Sequence, residues 1–238
     1  MSLSTFRQLH SDLNLSHHPF KRSFNYLKWA FKSINFNNKT VLDIGGGNGI
    51  YSYYSRYSGA KKCINLEPFE AGSKNVKINS KSVDDNLKIE IINDTIQDFN
   101  TKEKFDIIIL HDSINHLNEP IFSNLHKSEK DFKAYCDILN KISNLLKSDG
   151  VIIVTDCSRY NFWGFIGLKS PFAPSIDWDI HQSPYLIKKL FKIQGFDNHK
   201  IRWSPFKRFG LFGRILSFCG FLPSFFMQSH FNIVFKKH

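Results

Sequence analysis

Short apolar runs alternate along this chain with stretches in which apolar residues recur every third or fourth position, and the two periods predict different elements. Val41–Ile44, Lys61–Leu66, Leu87–Ile92 and Phe105–Leu110 read as strands. Residues 19 to 33 place Phe20, Phe24, Leu27 and Phe31 on one helical face. Residues 128 to 147 are the clearest helix, with Ser128 and Asp131 as a cap and Phe132, Tyr135, Ile138, Leu139, Ile142, Leu145 and Leu146 at helical spacing. A further helix is predicted over 183 to 193, a strand near 197 to 203 and a last strand over Phe231 to Lys236. Strands alternating with helices predict an α/β sheet covered on both faces. At 238 residues the chain is long enough for a proper core, and it reads as a single domain.

The first strand runs straight into Gly45-Gly46-Gly47-Asn48-Gly49 and then into a helix that Gly59 closes. Glycines lacking Cβ let the backbone adopt positive φ and let a ligand approach the main chain, while the helix start offers unpaired N–H groups. Such a turn binds a cofactor. The dinucleotide fingerprint needs a third glycine, but Ile50 fills that place when counting starts from Gly45, and Ser52 fills it when counting starts from Gly47. Neither register completes a nicotinamide or flavin signature.

What does fit is Asp43-x-Gly45-x-Gly47-x-Gly49, which resembles the first motif of class I S-adenosylmethionine-dependent methyltransferases. Further stations follow in order. Glu67 ends the second strand, where a carboxylate can accept two ribose hydroxyl bonds, each worth roughly 1.5–3 kcal/mol. Asp94, beside Thr95, holds the position of the family acid that meets the adenine amino group, and His111 is placed to stack on or cover the adenine. His111-Asp112-Ser113-Ile114-Asn115-His116-Leu117 resembles the family's segment after the fourth strand, and Leu146–Val154 its helix end, turn and fifth strand. The likeness covers residues 40 to 156. It implies a Rossmann-like open seven-stranded sheet, mostly parallel with an antiparallel last strand, with S-adenosylmethionine as cofactor.

Two segments fall outside that sheet, and substrate specificity is expected in them. Residues 156 to 181 are long and aromatic, as functional loops often are. Residues 204 to 229 mix basic and apolar side chains but are too interrupted for a bilayer span. They read as an amphipathic lid, packed on the domain or on a second copy, or resting at a membrane through residues 206 to 226. An N-terminal cap helix, 1 to 36, completes the expected layout. The net charge of +11 suits an anionic partner, yet nucleic acid is not favoured, because the segment after the fourth strand lacks the Asn-Pro-Pro-aromatic type of motif. Four scattered cysteines suggest neither a zinc site nor a disulfide framework, and the first residues lack a signal peptide's apolar run. A cytoplasmic location, at most peripheral to a membrane's inner face, is the expectation.

Methyl transfer to a hydroxyl needs a general base, and histidine is best poised for that near neutrality. His116 is the first candidate and His181 the second. Asp112 and Asp156 at strand ends leave open a magnesium version found in some O-methyltransferases, though no metal is assigned. The expected reaction is O-methylation of a small-molecule hydroxyl, such as a saccharide or glycolipid. A lipid or quinone methyltransferase and a non-catalytic cofactor-binding module are the alternatives.

Overall fold

The computed structural model describes residues 1–68, 88–198, 200–204 and 210–237. Its strands are β1 (Thr40–Ile44), β2 (Lys62–Leu66), β3 (Glu90–Ile92), β4 (Phe105–His111), β5 (Leu146–Cys157), β6 (Phe196–Asn198), β7 (Arg202–Ser204) and β8 (His230–Lys237). They hydrogen-bond in the order β3-β2-β1-β4-β5-β8-β6, with β7 also on β8. Pairs β1–β2, β1–β4 and β2–β3 are parallel, whereas β6 and β7 run antiparallel to β8. This is the expected Rossmann-like α/β sheet. Asn198 pairs with Phe235, but Arg202 pairs with Asn232, so the two registers differ by one residue. The single sixth strand of the sequence pattern is therefore realised as two short pieces with one extra residue between them, as at a β-bulge.

Two compact units divide the chain: Met1–His111 with Leu145–Ile152, and Asp112–Asn144 with Ile153–His238. In the first, helices α1 (Leu3–Asp12), α2 (Phe20–Ala30) and α3 (Ile50–Tyr57) share an aromatic cluster. Phe6 stacks on Tyr57 at 5.0 Å, and Phe31 stacks on Tyr54 at 5.4 Å. The stretch 1 to 36, expected as one cap helix, holds two, and α1 is capped by the Ser2 hydroxyl accepting from the Thr5 N–H. All five residues of β1 are buried, as expected of a strand covered on both faces. Asp106 clamps the start of β4 to that of β1, accepting from the Thr40 N–H at 2.8 Å and the Thr40 hydroxyl at 2.7 Å, with Lys147 Nζ at 2.8 Å.

The second unit holds α4 (Glu119–Asn124), α5 (Glu129–Leu145), α6 (Phe162–Phe165), α7 (Pro184–Ile193), α8 (Gly210–Leu216) and α9 (Phe221–Phe226). Helix α7 starts on the Ser183 hydroxyl and buries Ile187, Leu190 and Phe191, the last stacked on Phe235 of β8 at 4.1 Å. The long helix stops at Leu145, earlier than its periodicity suggests, because β5 begins at Leu146. The turn expected there lies inside the strand. Asp149 has φ 60°, and a Cβ on Gly150 would come within 2.6 Å of Leu146 Cγ and 2.9 Å of the Lys147 carbonyl. Among the described residues, no helix is long and apolar enough to cross a membrane.

Candidate active site

The carboxyl ends of β1, β2 and β4 carry the site in the first unit. Gly45, Gly47 and Gly49 have φ of 70°, 48° and 78°, the left-handed region that side-chain-bearing residues avoid. The turn is held from both sides. The Gly45 N–H donates to the Leu66 carbonyl at 2.8 Å, and the Gly47 N–H donates to Glu67 Oε2 at 2.9 Å. Gly46 resists substitution for a different reason: a Cβ there would lie 2.5 Å from Asn65 Nδ2 and 2.9 Å from Asp43 Oδ2, so those side chains would have to shift. A Cβ on Gly47, by contrast, would meet nothing within 4 Å. The turn is packed hard against the strands behind it and open on its other side.

Asp43 lies beneath this turn, fully buried, with Oδ2 accepting from the Ser52 hydroxyl of α3 at 2.6 Å. Burial raises its carboxyl to about 7, only partly offset by the Ser52 bond. Asn65 Nδ2 reaches the same hydroxyl at 3.3 Å. Asp43 thus braces the turn from below, and Ser52 and Asn65 are partners that the sequence pattern did not single out. Glu67 is buried, and the Asn93 side chain donates to its carbonyl at 3.0 Å. Asp94 accepts from the Thr95 N–H at 2.9 Å, and the Thr95 hydroxyl bonds Asp98 at 2.7 Å, so the pair opens a tight turn after β3.

His111 ends β4, buried between two tyrosines. Its ring stacks on Tyr51 with centroids 3.9 Å apart, and its Nε2 bonds the Tyr26 hydroxyl at 2.5 Å. Tyr26 belongs to α2, so the N-terminal segment brings a polar atom to this place. Neither tyrosine stood out in sequence. Tyr51 follows the glycine turn by two residues, and Tyr26 lies on the same predicted helix as the apolar stripe but off it, which was the one available signal.

The two histidines weighed as bases have contrasting settings in the second unit. His116 sits in a short turn, half exposed, with Nδ1 3.0 Å from Glu119 Oε2. His181 is buried, with Nδ1 3.1 Å from Oδ1 of Asp156, itself fully buried at the end of β5. Burial alone lowers the His181 pKa, but the charge of Asp156, helped by Asp112 and Asp177, outweighs it and leaves the imidazole above its ordinary value. The Asp156 oxygen that faces His181 also accepts from the Cys157 N–H at 2.7 Å. Asp112, with φ 50°, lies 3.3 Å from Nε2 of buried His230.

A glycine turn between parallel strands, braced by one acid and tied to a second at the neighbouring strand's tip, defines a Rossmann-like nucleotide-cofactor fold. Comparison with known proteins makes the class specific. The family described as "Methyltransferase domain" matches residues 14–201, and the chain belongs to it, among the class I S-adenosylmethionine-dependent methyltransferases. Magnesium protoporphyrin IX methyltransferase from Synechocystis PCC 6803, solved with bound S-adenosylhomocysteine, superposes with a TM-score of 0.59 at 11% identity, covering 100% of this chain and 89% of that one. Protein arginine N-methyltransferase 6 of Danio rerio is 32% identical over 112 residues, 43% of this chain and 31% of that protein. Ubiquinone biosynthesis O-methyltransferase of Actinobacillus pleuropneumoniae serotype 5b (strain L20) is 29% identical over 133 residues, 54% of this chain and 50% of that protein. The chain therefore spans 31% and 50% of these two relatives' lengths. S-adenosylmethionine is the cofactor of the class, and the turn fits it, with glycine main chain facing open space and a buried carboxylate beside it.

Proposed function

We propose that this protein is an S-adenosylmethionine-dependent methyltransferase that methylates a hydroxyl of a small molecule, a saccharide or glycolipid first, using His181 as general base. The observation that carries the cofactor half is the Gly47–Glu67 bond at 2.9 Å in a chain matched to the family over residues 14–201. In this reading the Gly45–Gly49 main chain, Glu67, Asp94 and His111 hold the cofactor, which supplies an electrophilic methyl group on a sulfonium. Asp156 holds the His181 ring and raises its affinity for a proton, and His181 takes the proton of the acceptor hydroxyl. A buried, carboxylate-paired imidazole is better suited to that task than His116, half exposed and paired with a surface glutamate. The exposed Tyr160 ring of the 156 to 181 segment supports stacking on a sugar face. A quinone or other lipid acceptor is the second reading, favoured by the ubiquinone-pathway relative.

The test is transfer of labelled methyl groups to a panel of saccharide, glycolipid, quinol and arginine-peptide acceptors. His181→Gln is expected to leave S-adenosylhomocysteine affinity unchanged and to slow transfer by about 10²–10⁴-fold. Asp156→Asn, by removing the charge that raises the imidazole, moves the acid limb of the pH–rate profile to lower pH. Full turnover in His181→Gln removes His181 from the mechanism. Tight cofactor binding without transfer to any acceptor makes the protein a binding module instead.

A further inference from the structure

The two segments outside the common sheet converge within the second unit. Trp163 Nε1–H donates to the Phe226 carbonyl at 2.7 Å, Asn161 Nδ2–H to the Phe225 carbonyl at 3.0 Å, and Gln228 Nε2–H to the Phe172 carbonyl at 3.0 Å. The Phe162 and Phe226 rings pack at 5.0 Å. These bonds join α6 to α9, and the short turn Ser217–Cys219 contacts both α8 and α9, so the three helices are linked in one structure that exposes a group of apolar side chains. Phe218 is 88% exposed, Phe165 86%, Leu211 72%, Leu222 65%, Phe212 59% and Leu168 56%. Isolated exposed apolar residues need no explanation, but a group this dense marks an interaction surface.

Charge identifies what meets it. Residues 157 to 176 and 210 to 229, the two segments that carry these side chains, contain no Asp or Glu, and their charged residues are Arg159, Lys169 and Arg214. A second copy would bring the same acid-free, basic segments face to face, which like charges disfavour. Nucleic acid could stack on the phenylalanines but would leave Leu168, Leu211 and Leu222 uncovered, whereas an acyl boundary takes both kinds of side chain. Exposed apolar side chains in acid-free, net positive segments, on helices too short to span a bilayer, match the interface of an anionic membrane, where the apolar groups enter the acyl boundary and cations meet the headgroups.

We infer that α6, α8 and α9, with the Ser217–Cys219 turn that carries Phe218, form a docking surface for an anionic lipid bilayer. This goes beyond the proposed activity and does not depend on which acceptor is methylated. The probe is co-sedimentation of the full chain with vesicles of phosphatidylcholine alone and of phosphatidylcholine mixed with phosphatidylglycerol. Binding is expected to the mixed vesicles, weakened by salt, and to drop at least ~10-fold in the double variant Phe165→Ser, Phe218→Ser, which removes two large apolar anchors. Both positions are exposed, so unchanged melting temperature and unchanged S-adenosylhomocysteine binding confirm that the variant is folded. Leu211→Ser, on a different helix, is expected to weaken binding independently. No binding to either vesicle overturns the proposal, as does undiminished binding of the folded double variant. Equal binding to both vesicle types overturns the anionic requirement. A dimer that the double variant converts to monomer, without vesicle binding, assigns the surface to a second copy and overturns it as well.

Discussion

At the scale of single residues, the carboxyl of Asp43 is the most consequential group in the first unit. Raised to about 7 by burial, it binds a proton in the folded chain over a range where the unfolded chain, with a value of 3.8, has lost it. Stability therefore falls as pH rises from about 4 toward 7, by at most about 1.4 kcal/mol per pH unit from this group. The raised His181 acts in the same direction, its contribution being present below the unfolded histidine value and lost as pH rises through the folded one. Asp43→Asn keeps an acceptor for the Ser52 hydroxyl but cannot ionise. Urea unfolding in mild acid and at neutrality is expected to show a shallower pH dependence in this variant, with the His181 share left over; an unchanged slope would mean that Asp43 is ionised in the folded chain. Asp43, Glu67 and the glycines were all legible in sequence because main-chain geometry and strand order dictate their places. Tyr26 and Asn65 were not, since the first reaches His111 across 85 positions and the second acts from the interior of a strand.

At the scale of elements, the Asp106 clamp ties the starts of β1 and β4 to Lys147 in the first residues of β5. Burial would raise the Asp106 carboxyl, but bonds from Lys147 and Thr40 hold it well below the usual carboxylate range. The sign is opposite to that of Asp43. This stabilisation is present above the unfolded aspartate value, near 3.9, and is lost as pH falls toward the depressed folded value. Asp106→Asn is expected to lower stability by ~1–3 kcal/mol near neutrality, with the difference from the parent shrinking in acid, as read from urea midpoints. A constant difference across that range would show that the amide costs packing and not charge pairing. Element identity was legible wherever periodicity was strong, as in α5, α7 and β1. Boundaries were not: Leu146 continues the helical spacing, yet it opens β5. The sixth strand read as continuous because a one-residue shift in register leaves no trace in composition.

For the molecule as a whole, ligand binding to the native state alone raises stability by about 2.7 kcal/mol at a hundred times the dissociation constant. Thermal melting with S-adenosylmethionine, S-adenosylhomocysteine and NAD in parallel is expected to shift with the two sulfur ligands only, and the shift is expected to vanish in Glu67→Ala, which removes the carboxylate held on Gly47. A shift with NAD alone would contradict the cofactor assignment. The sequence by itself determined the class of this protein, since a strand, a glycine turn and acids at successive strand tips are local features whose spacing survives without knowledge of long-range contacts. It also singled out the two segments beyond the sheet. Only the tertiary structure decided how residues far apart in the chain combine: which histidine is paired with a buried acid, how the glycine turn is braced by Asp43, Ser52 and Asn65, and that residues 160 to 172 and 225 to 228 join in one apolar surface. Burial and pairing are properties of neighbours in space, and hydrophobic periodicity reports which face of an element is apolar without naming what that face will meet.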